Sequence, residues 1–174
     1  MQNTIAKIDE MKVDDDIQQY LTFMLGGKLY GIDILNIQEI IKYDEVTEVP
    51  MTPDFISGVI NLRGSVVPII DLTQRFSGKP IEITKRTSSI IIEVVNDDLK
   101  IEIGVTVDIV NEVLDIHLRD IEPAPSFGNQ IKTSFISGMA KVDGKLLILL
   151  DIENVLSIDE FSLVGSIQNN MKQP

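Results

Sequence analysis

The sequence has no cysteine and a single histidine, and aromatic residues fill only 5% of its 174 positions. Without cysteine there is no disulfide framework, no thiolate metal site and no thiol nucleophile. Positive charge is scarce: 15 Lys+Arg stand against 27 Asp+Glu, a formal net charge of −12. A phosphate backbone is bound by clustered Lys/Arg that displace counterions, and an anionic membrane surface attracts the same residues, so both partner classes are disfavoured. Long hydrophobic runs are missing too. Leu146–Leu150 is typical of the longest, far short of the ~20 apolar residues that a membrane helix requires. Met1–Gln19 alternates polar and apolar residues, carries Asp14-Asp15-Asp16 and lacks the basic start and apolar stretch of a signal peptide. The expectation is a soluble, cytoplasmic protein whose partners are basic or bind through apolar contact.

What is present is aliphatic. Hydrophobic residues make up 44% of the chain, mostly Ile, Leu and Val, and β-branched side chains favour strands. The chain also repeats itself. FISGVINLRGSVVPIIDL at 55–72 returns as FISGMAKVDGKLLILLDI at 135–152, an offset of 80 residues. Upstream, GIDILNIQEII at 31–41 is echoed by GVTVDIVNEVL at 104–114, which places Glu39 on Glu112. Two long copies point to a duplicated lobe, where a solenoid would show three or more short repeats.

Each copy reads as about five short strands, the number of a small closed barrel. The first copy has Tyr20–Leu25 and Leu29–Ile34 around Gly26-Gly27, then Ile37–Tyr43, then Val59–Leu62 and Val66–Ile70 around Arg63-Gly64. The second has Ile90–Val95 and Leu99–Val107 around Asn96-Asp97-Asp98, then Val110–Ile116, then Met139–Val142 and Leu146–Leu150 around Asp143-Gly144. Thr52-Pro53-Asp54 reads as a helix start that Gly58 ends, and Asp71 to Gln74 as a capping box opening a helix through Phe76. Asp151–Leu156 is the second copy's equivalent of that helix, and Ser77–Thr87 joins the copies. The first ~16 residues and those after about Val164 are polar and are expected to be loosely ordered.

Catalytic chemistry finds little support. Asp71 and Asp151 could form a carboxylate dyad, but no Asp-Thr/Ser-Gly loop surrounds either, and both sit where helix caps belong. His117 has no triad motif around it. The acidic turns at Asp14–Asp16 and Asn96–Asp98 lack the spacing of a calcium loop, and no phosphate-binding glycine motif occurs.

The copies differ at one hairpin tip. Asp143-Gly144 in the second is a favoured tight-turn pair, whereas the first has Arg63-Gly64 after Asn61-Leu62. An arginine there costs ~1–2 kcal/mol if the turn demands positive φ, and little if it is a type I turn with a glycine bulge. Glu39 lies among apolar neighbours on a half-buried strand. An ion pair between Glu39 and Arg63 would fix the strand against the hairpin, whereas the matching Glu112 and Asp143 repel.

These residues carry a resemblance. YGIDILNIQEI, PDFISGVINLRGSVVPIIDL, IGVTVDIVNEVL and FISGMAKVDGKLLILLDI, in that order from about Gln18 to Asp159, resemble the CheW-type chemotaxis coupling proteins, with Asn61-Leu62-Arg63-Gly64 matching the family's signature turn. The resemblance implies a mainly β fold: two interlocked five-stranded SH3-like β-barrels related by internal duplication, with short helices. The domain would span 18–160 (first lobe about 18–80, second about 86–158), after a flexible 1–17 and before a tail at 161–174. It further implies a non-catalytic adaptor without cofactor or metal, which joins the cytoplasmic tips of chemoreceptors to the regulatory domain of a CheA-type histidine kinase at membrane-associated arrays. Receptor-facing positions would be Ile34, Ile37, Glu39, Gly58, Asn61, Leu62, Arg63, Val107 and Val110, in a groove between the barrels. Kinase-facing positions would be Asp44 and Glu45. An adaptor in a related pilus or motility pathway, or a detached kinase regulatory domain, shares these motifs; tails at both ends and no second domain argue for the free adaptor.

Overall fold

The structure, a computed structural model, describes residues 16–96, 98–124 and 133–172. The expected flexible start, with Asp14 and Asp15, lies outside the described residues, as does Asp97 of the second acidic turn. Ten strands follow in order: β1 (Ile17–Leu25), β2 (Lys28–Asp33), β3 (Ile37–Lys42), β4 (Ile56–Leu62), β5 (Ser65–Asp71), β6 (Ser88–Asn96), β7 (Leu99–Val107), β8 (Ile109–His117), β9 (Ile136–Val142) and β10 (Lys145–Leu150). Helix α1 (Leu72–Ser77) follows β5, helix α2 (Ile158–Lys172) follows β10, and four 3-10 turns fill connections.

The strands form two five-stranded sheets, a first with the order β8-β1-β2-β10-β9 and a second with the order β3-β6-β7-β5-β4. Replacing each strand by its duplicate, β1 by β6 and so on to β5 by β10, converts one order into the other. Each SH3-like barrel therefore takes strands from both sequence copies, and the barrels interlock as expected. The exchange is sealed by two parallel contacts, β2 with β10 and β5 with β7. Gly31 faces Leu149 at one seam and Gly104 faces Ile69 at the other. A Cβ on Gly104 would come within 2.6 Å of the Ile69 Cδ1, and one on Gly31 within 3.1 Å of the Leu149 Cδ2. The two glycines that head the upstream repeat are thus the places where one copy's side chains pass over the other's backbone.

One core runs through both barrels, with Phe23 and Ile32 from the first and Ile70, Ile92 and Ile103 from the second all fully buried. The scarce aromatics gather where the barrels meet. Phe23, Tyr30, Phe76 and Phe135 stack in series with ring centroids 5.7–6.0 Å apart. Arg75, one residue before Phe76, lays its guanidinium over Phe55 at 4.5 Å and Phe135 at 5.3 Å. Those two phenylalanines open the two FISG repeats, so Arg75 sits between equivalent rings of the two copies.

Asp71 caps α1 as expected, accepting from the Gln74 N–H at 3.0 Å, and its other oxygen accepts from the Ile81 N–H at 2.9 Å. Gly78, at φ 78°, closes the helix. Two expectations are corrected. Thr52-Pro53-Asp54 opens no helix: the segment is a turn and β4 starts at Ile56. Gly58 lies inside that strand at φ 152°, and a Cβ there would strike the Thr47 carbonyl oxygen. The glycine lets the β3–β4 loop cross over β4 and bond to Val59, and Phe55, at the end of the turn, and Ile56, at the start of β4, are both buried in the core.

The second correction concerns the tail. Residues beyond Val164 are helical through Lys172, and Phe161, Val164 and Ile167 are buried. Ser157 and Glu160 form a reciprocal capping box, with the Glu160 N–H donating to Ser157 Oγ at 3.1 Å and the Ser157 N–H to Glu160 Oε1 at 2.8 Å. Glu160 is also held by both terminal nitrogens of Arg75 at 2.6 and 2.7 Å, while Arg75 Nε donates to the Val155 carbonyl. The equivalent of α1 after β10 is shorter, a single 3-10 turn at Ile152–Asn154.

Replacing Arg75 with Ala removes a partly buried bidentate pair and two ring contacts together. We expect a loss of about 2–4 kcal/mol in urea unfolding, with Glu160→Gln costing less because the capping bonds survive. A loss within ~0.5 kcal/mol would show that the two rings pack equally well without the guanidinium. Burial raises the phenols of Tyr20, Tyr30 and Tyr43 above their ordinary 10.0, aided by Asp33 at Tyr20 and by Asp71 and Glu45 at Tyr43. Above pH ~10 the unfolded chain then releases these protons first, so stability is full below that pH and falls as pH rises further. Urea midpoints at pH 9 and 10.5 measure the fall, which Tyr30→Phe should reduce.

Candidate functional site: the inter-barrel face and the β4–β5 tip

The chain passes between barrels at two equivalent crossovers. At one, β2 ends at Asp33, whose carboxylate accepts from the Leu35 N–H at 2.9 Å, and the 3-10 turn Ile34–Asn36 delivers the chain into β3. At the other, β7 passes through Asp108 into β8, and Asp108 Oδ2 accepts from the Gly26 N–H at 2.8 Å. In the repeat, Ile34 and Ile37 correspond to Val107 and Val110. All four pack on the shared core: Ile34, Ile37 and Val110 are partly buried and Val107 is fully buried. Leu35, between the two isoleucines, is strongly exposed.

A bulge in β3 sits between Ile37 and Glu39, where the pairing with β6 slips by one residue. It sends Gln38 outward to donate to Glu93 at 3.0 Å and brings Glu39 beside the β4–β5 tip. Arg63 and Gly64 both have positive φ, 53° and 85°, as in a type I′ turn. Asp143 and Gly144 repeat this at 50° and 77°, but Asp tolerates the left-handed region better than Arg. Asn61 Oδ1 accepts from the Gly64 N–H at 2.9 Å and braces the turn. Arg63 Nη2 reaches Glu39 Oε2 at 2.5 Å, with the arginine side chain 76% exposed and the glutamate 23%. Gln38, Glu39, Leu62, Arg63, Ser65 and Glu102 border a hollow of about 340 Å³. The pairing inferred between strand and hairpin is therefore present, and the positive-φ alternative is the one adopted. The backbone penalty of ~1–2 kcal/mol outweighs the ~0–1 kcal/mol an exposed pair returns, so stability alone does not account for Arg63.

The CheW-like domain profile matches residues 19–160. The chain belongs to the CheW family. It is similar to the chemotaxis protein CheW of Klebsiella aerogenes, at 39% identity over 94% of this chain and 96% of the relative. CheW of Bacillus subtilis is 37% identical over 80% of this chain and 86% of its own. The crystal structure of the scaffolding protein TtCheW from Thermoanaerobacter tengcongensis superposes with a TM-score of 0.74 at 36% identity, covering 82% of this chain and 90% of that one.

Within this CheW fold the nominated residues divide. Glu39, Asn61, Leu62 and Arg63 come together at the tip, and Ile34, Ile37 and Val110 line the crossovers beside the core. Val107 has no surface and lies beneath the face. Gly58 is occupied by the loop crossing over it. Asp44 and Glu45 are exposed at the start of the β3–β4 loop. Asp71 and Asp151 are engaged locally, Asp151 by Asn154 at 2.7 Å, and His117 ends β8 opposite Ile17. Among the described residues no helix is long and apolar enough to cross a membrane. Arg75 escaped sequence reading, although its repeat partner is Val155 and it is one of four arginines. A second feature, a cleft of mixed polar and apolar lining beside the first barrel, left no local motif because its walls come from distant strands and from α1.

The strain at Arg63 makes a directional prediction. Arg63→Asn places the favoured Asn-Gly pair in the type I′ turn and should raise stability by up to about 1 kcal/mol in chemical unfolding. A clear destabilisation would mean that the Glu39 pair outweighs the backbone cost.

Proposed function

We propose that this chain is a non-catalytic adaptor that couples chemoreceptor cytoplasmic tips to the regulatory domain of a CheA-type histidine kinase, at membrane-associated receptor arrays. The observation that carries this reading is Arg63: a strained, exposed arginine, aimed by Glu39, on the face where the barrels exchange strands. An apolar ridge on a receptor helix can rest on the crossover residues Ile34, Ile37 and Val110 while Arg63 supplies a charged anchor, a form of helix-in-groove recognition. Arginine is among the residues that dominate such interfaces when a few anchors carry most of the affinity. Asp44 and Glu45 are the proposed kinase-facing charges, and they sit on a different loop, so both partners can be held at once. The CheW relatives named for chemotaxis support the pathway.

The test is co-sedimentation with receptor membranes, with and without the kinase, together with receptor-stimulated kinase activity. Arg63→Asp copies the second repeat's residue and keeps the turn. It should weaken receptor binding by about tenfold, as loss of one anchor does, and reduce kinase stimulation with the melting curve unchanged. In a double-mutant cycle with Glu39→Ala, the two losses should be less than additive. Normal stimulation by Arg63→Asp would refute the site, and failure of the unaltered chain to bind either partner would refute the function.

A further inference from the structure

The cleft beside the first barrel is built by both sequence copies. It takes its walls from β1, β2 and α1 of the first copy and from β8, β9 and β10 of the second, and its volume is about 930 Å³. That is the size of a site for a small organic molecule. Thr73 and Phe76, three residues apart on α1, both border it. Thr73 Oγ1 is buried and has no hydrogen-bond partner among the described residues. Folded proteins pair almost all buried hydroxyls, because an unmade bond forfeits the group's hydration. The rest of the lining is apolar and aromatic. The Tyr30 and Phe76 rings stack with centroids 6.0 Å apart, and Met24, Met139 and Ile148 stand around them. Tyr30 is 3% exposed and its phenol is raised by burial alone, so the floor of the cleft is a weakly polar medium in which a hydrogen bond counts for more. Methionine sulfur is polarizable and packs favourably against a further ring. The charges at the cleft cancel, the exposed Lys28 and Lys145 standing against the exposed Glu112 and Asp143.

We propose that this cleft binds a small, neutral aromatic molecule carrying a hydroxyl or carbonyl group, its ring against Tyr30, Phe76 and the two methionines and its polar group on Thr73 Oγ1. Each part of the lining selects against an alternative. Balanced charge favours neither an anion nor a cation. A pure hydrocarbon would leave the Thr73 hydroxyl buried and unpaired, whereas a ligand with one polar group recovers that loss. Such a ligand would bear directly on the joint between the barrels. Arg75 lies between Thr73 and Phe76 on α1 and stacks on Phe55 and Phe135 of the two repeats. A molecule held by Thr73 and Phe76 therefore acts on the helix turn that fixes Arg75. The inference goes beyond the adaptor reading and is independent of it, and its test uses neither receptor nor kinase.

The methionines make the test direct, because Met24 and Met139 line the cleft while Met51 stands fully exposed on the β3–β4 loop. In the full chain with isotope-labelled methionine methyl groups, read by NMR, β-naphthol is the probe and naphthalene its hydrocarbon control. β-Naphthol should shift the Met24 and Met139 signals saturably, with a dissociation constant at or below about a millimolar, and leave Met51 in place. Naphthalene at equal concentration should give shifts about fivefold smaller, having no group for Thr73. Thr73→Val keeps the side-chain shape. It should weaken β-naphthol about fivefold and leave the naphthalene response unchanged, without lowering the melting temperature, because the hydroxyl it removes is unpaired. The comparison of the two probes uses the unaltered chain, so it decides the matter should the variant fold poorly. Equal shifts with both probes, an unchanged β-naphthol affinity in Thr73→Val, Met51 moving in step with Met24 and Met139, or no saturable shift would each overturn the proposal.

Discussion

Each five-stranded sheet closes only because a strand of one sequence copy runs parallel to a strand of the other, β10 beside β2 and β5 beside β7. At both seams a large aliphatic side chain crosses a glycine, Leu149 over Gly31 and Ile69 over Gly104, and at Gly104 a methyl group would collide at 2.6 Å. Close approach of the backbones is therefore the condition for the exchange, and the exchange removes the possibility that either copy folds as a barrel alone. The crossovers at Ile34–Asn36 and Asp108 are its direct consequence. They are also where the candidate site lies, because a chain that changes barrels must leave residues such as Leu35 on the surface between them.

Arg75 serves the same joint from inside. It stacks on the equivalent phenylalanines of both copies, donates to Val155, its own counterpart in the repeat, and grips Glu160 at the start of α2. A symmetric duplication would place two identical residues at such a point. One position has become arginine and the other valine, which breaks the symmetry and ties the C-terminal helix to one barrel only. The same loss of symmetry appears at the hairpin tips, where Arg63 and Asp143 share a backbone conformation but not a charge.

Much of this could be read along the chain. The tips at Gly26-Gly27, Arg63-Gly64 and Asp143-Gly144 have the turn chemistry that hairpins demand, and the Asp71 cap follows from local hydrogen bonding. The Glu39–Arg63 pair was legible because the repeat supplied an internal comparison. The misreadings have physical causes. Thr52-Pro53-Asp54 carries real helix-start signals, but burial of Phe55 at the end of the turn and of Ile56 at the start of β4 overrides them. The tail reads as polar because α2 buries only a narrow stripe, yet its Ser157–Glu160 capping box was a signal available in the sequence. Val107 and Gly58 were placed on the face by their position in the motif, and only packing reveals that one lies beneath it and the other under a loop.

The sequence by itself determined the strand number, the duplication, the turn residues and the acidic, cysteine-free character of the chain, because each depends on local chemistry or on comparing the chain with itself. Only the tertiary structure decided which strands share a barrel, since parallel pairing between β2 and β10 joins residues more than a hundred positions apart. It alone decided that Arg63 sits at positive φ beside Glu39, because the β3 bulge and the hairpin meet only after both sheets have closed. It also decided that α2 lies across β5 and β7 while Phe76 of α1 stacks on Tyr30 of the duplicate strand β2, a difference between the barrels that arises from packing of segments distant in the chain and leaves no mark in any single one.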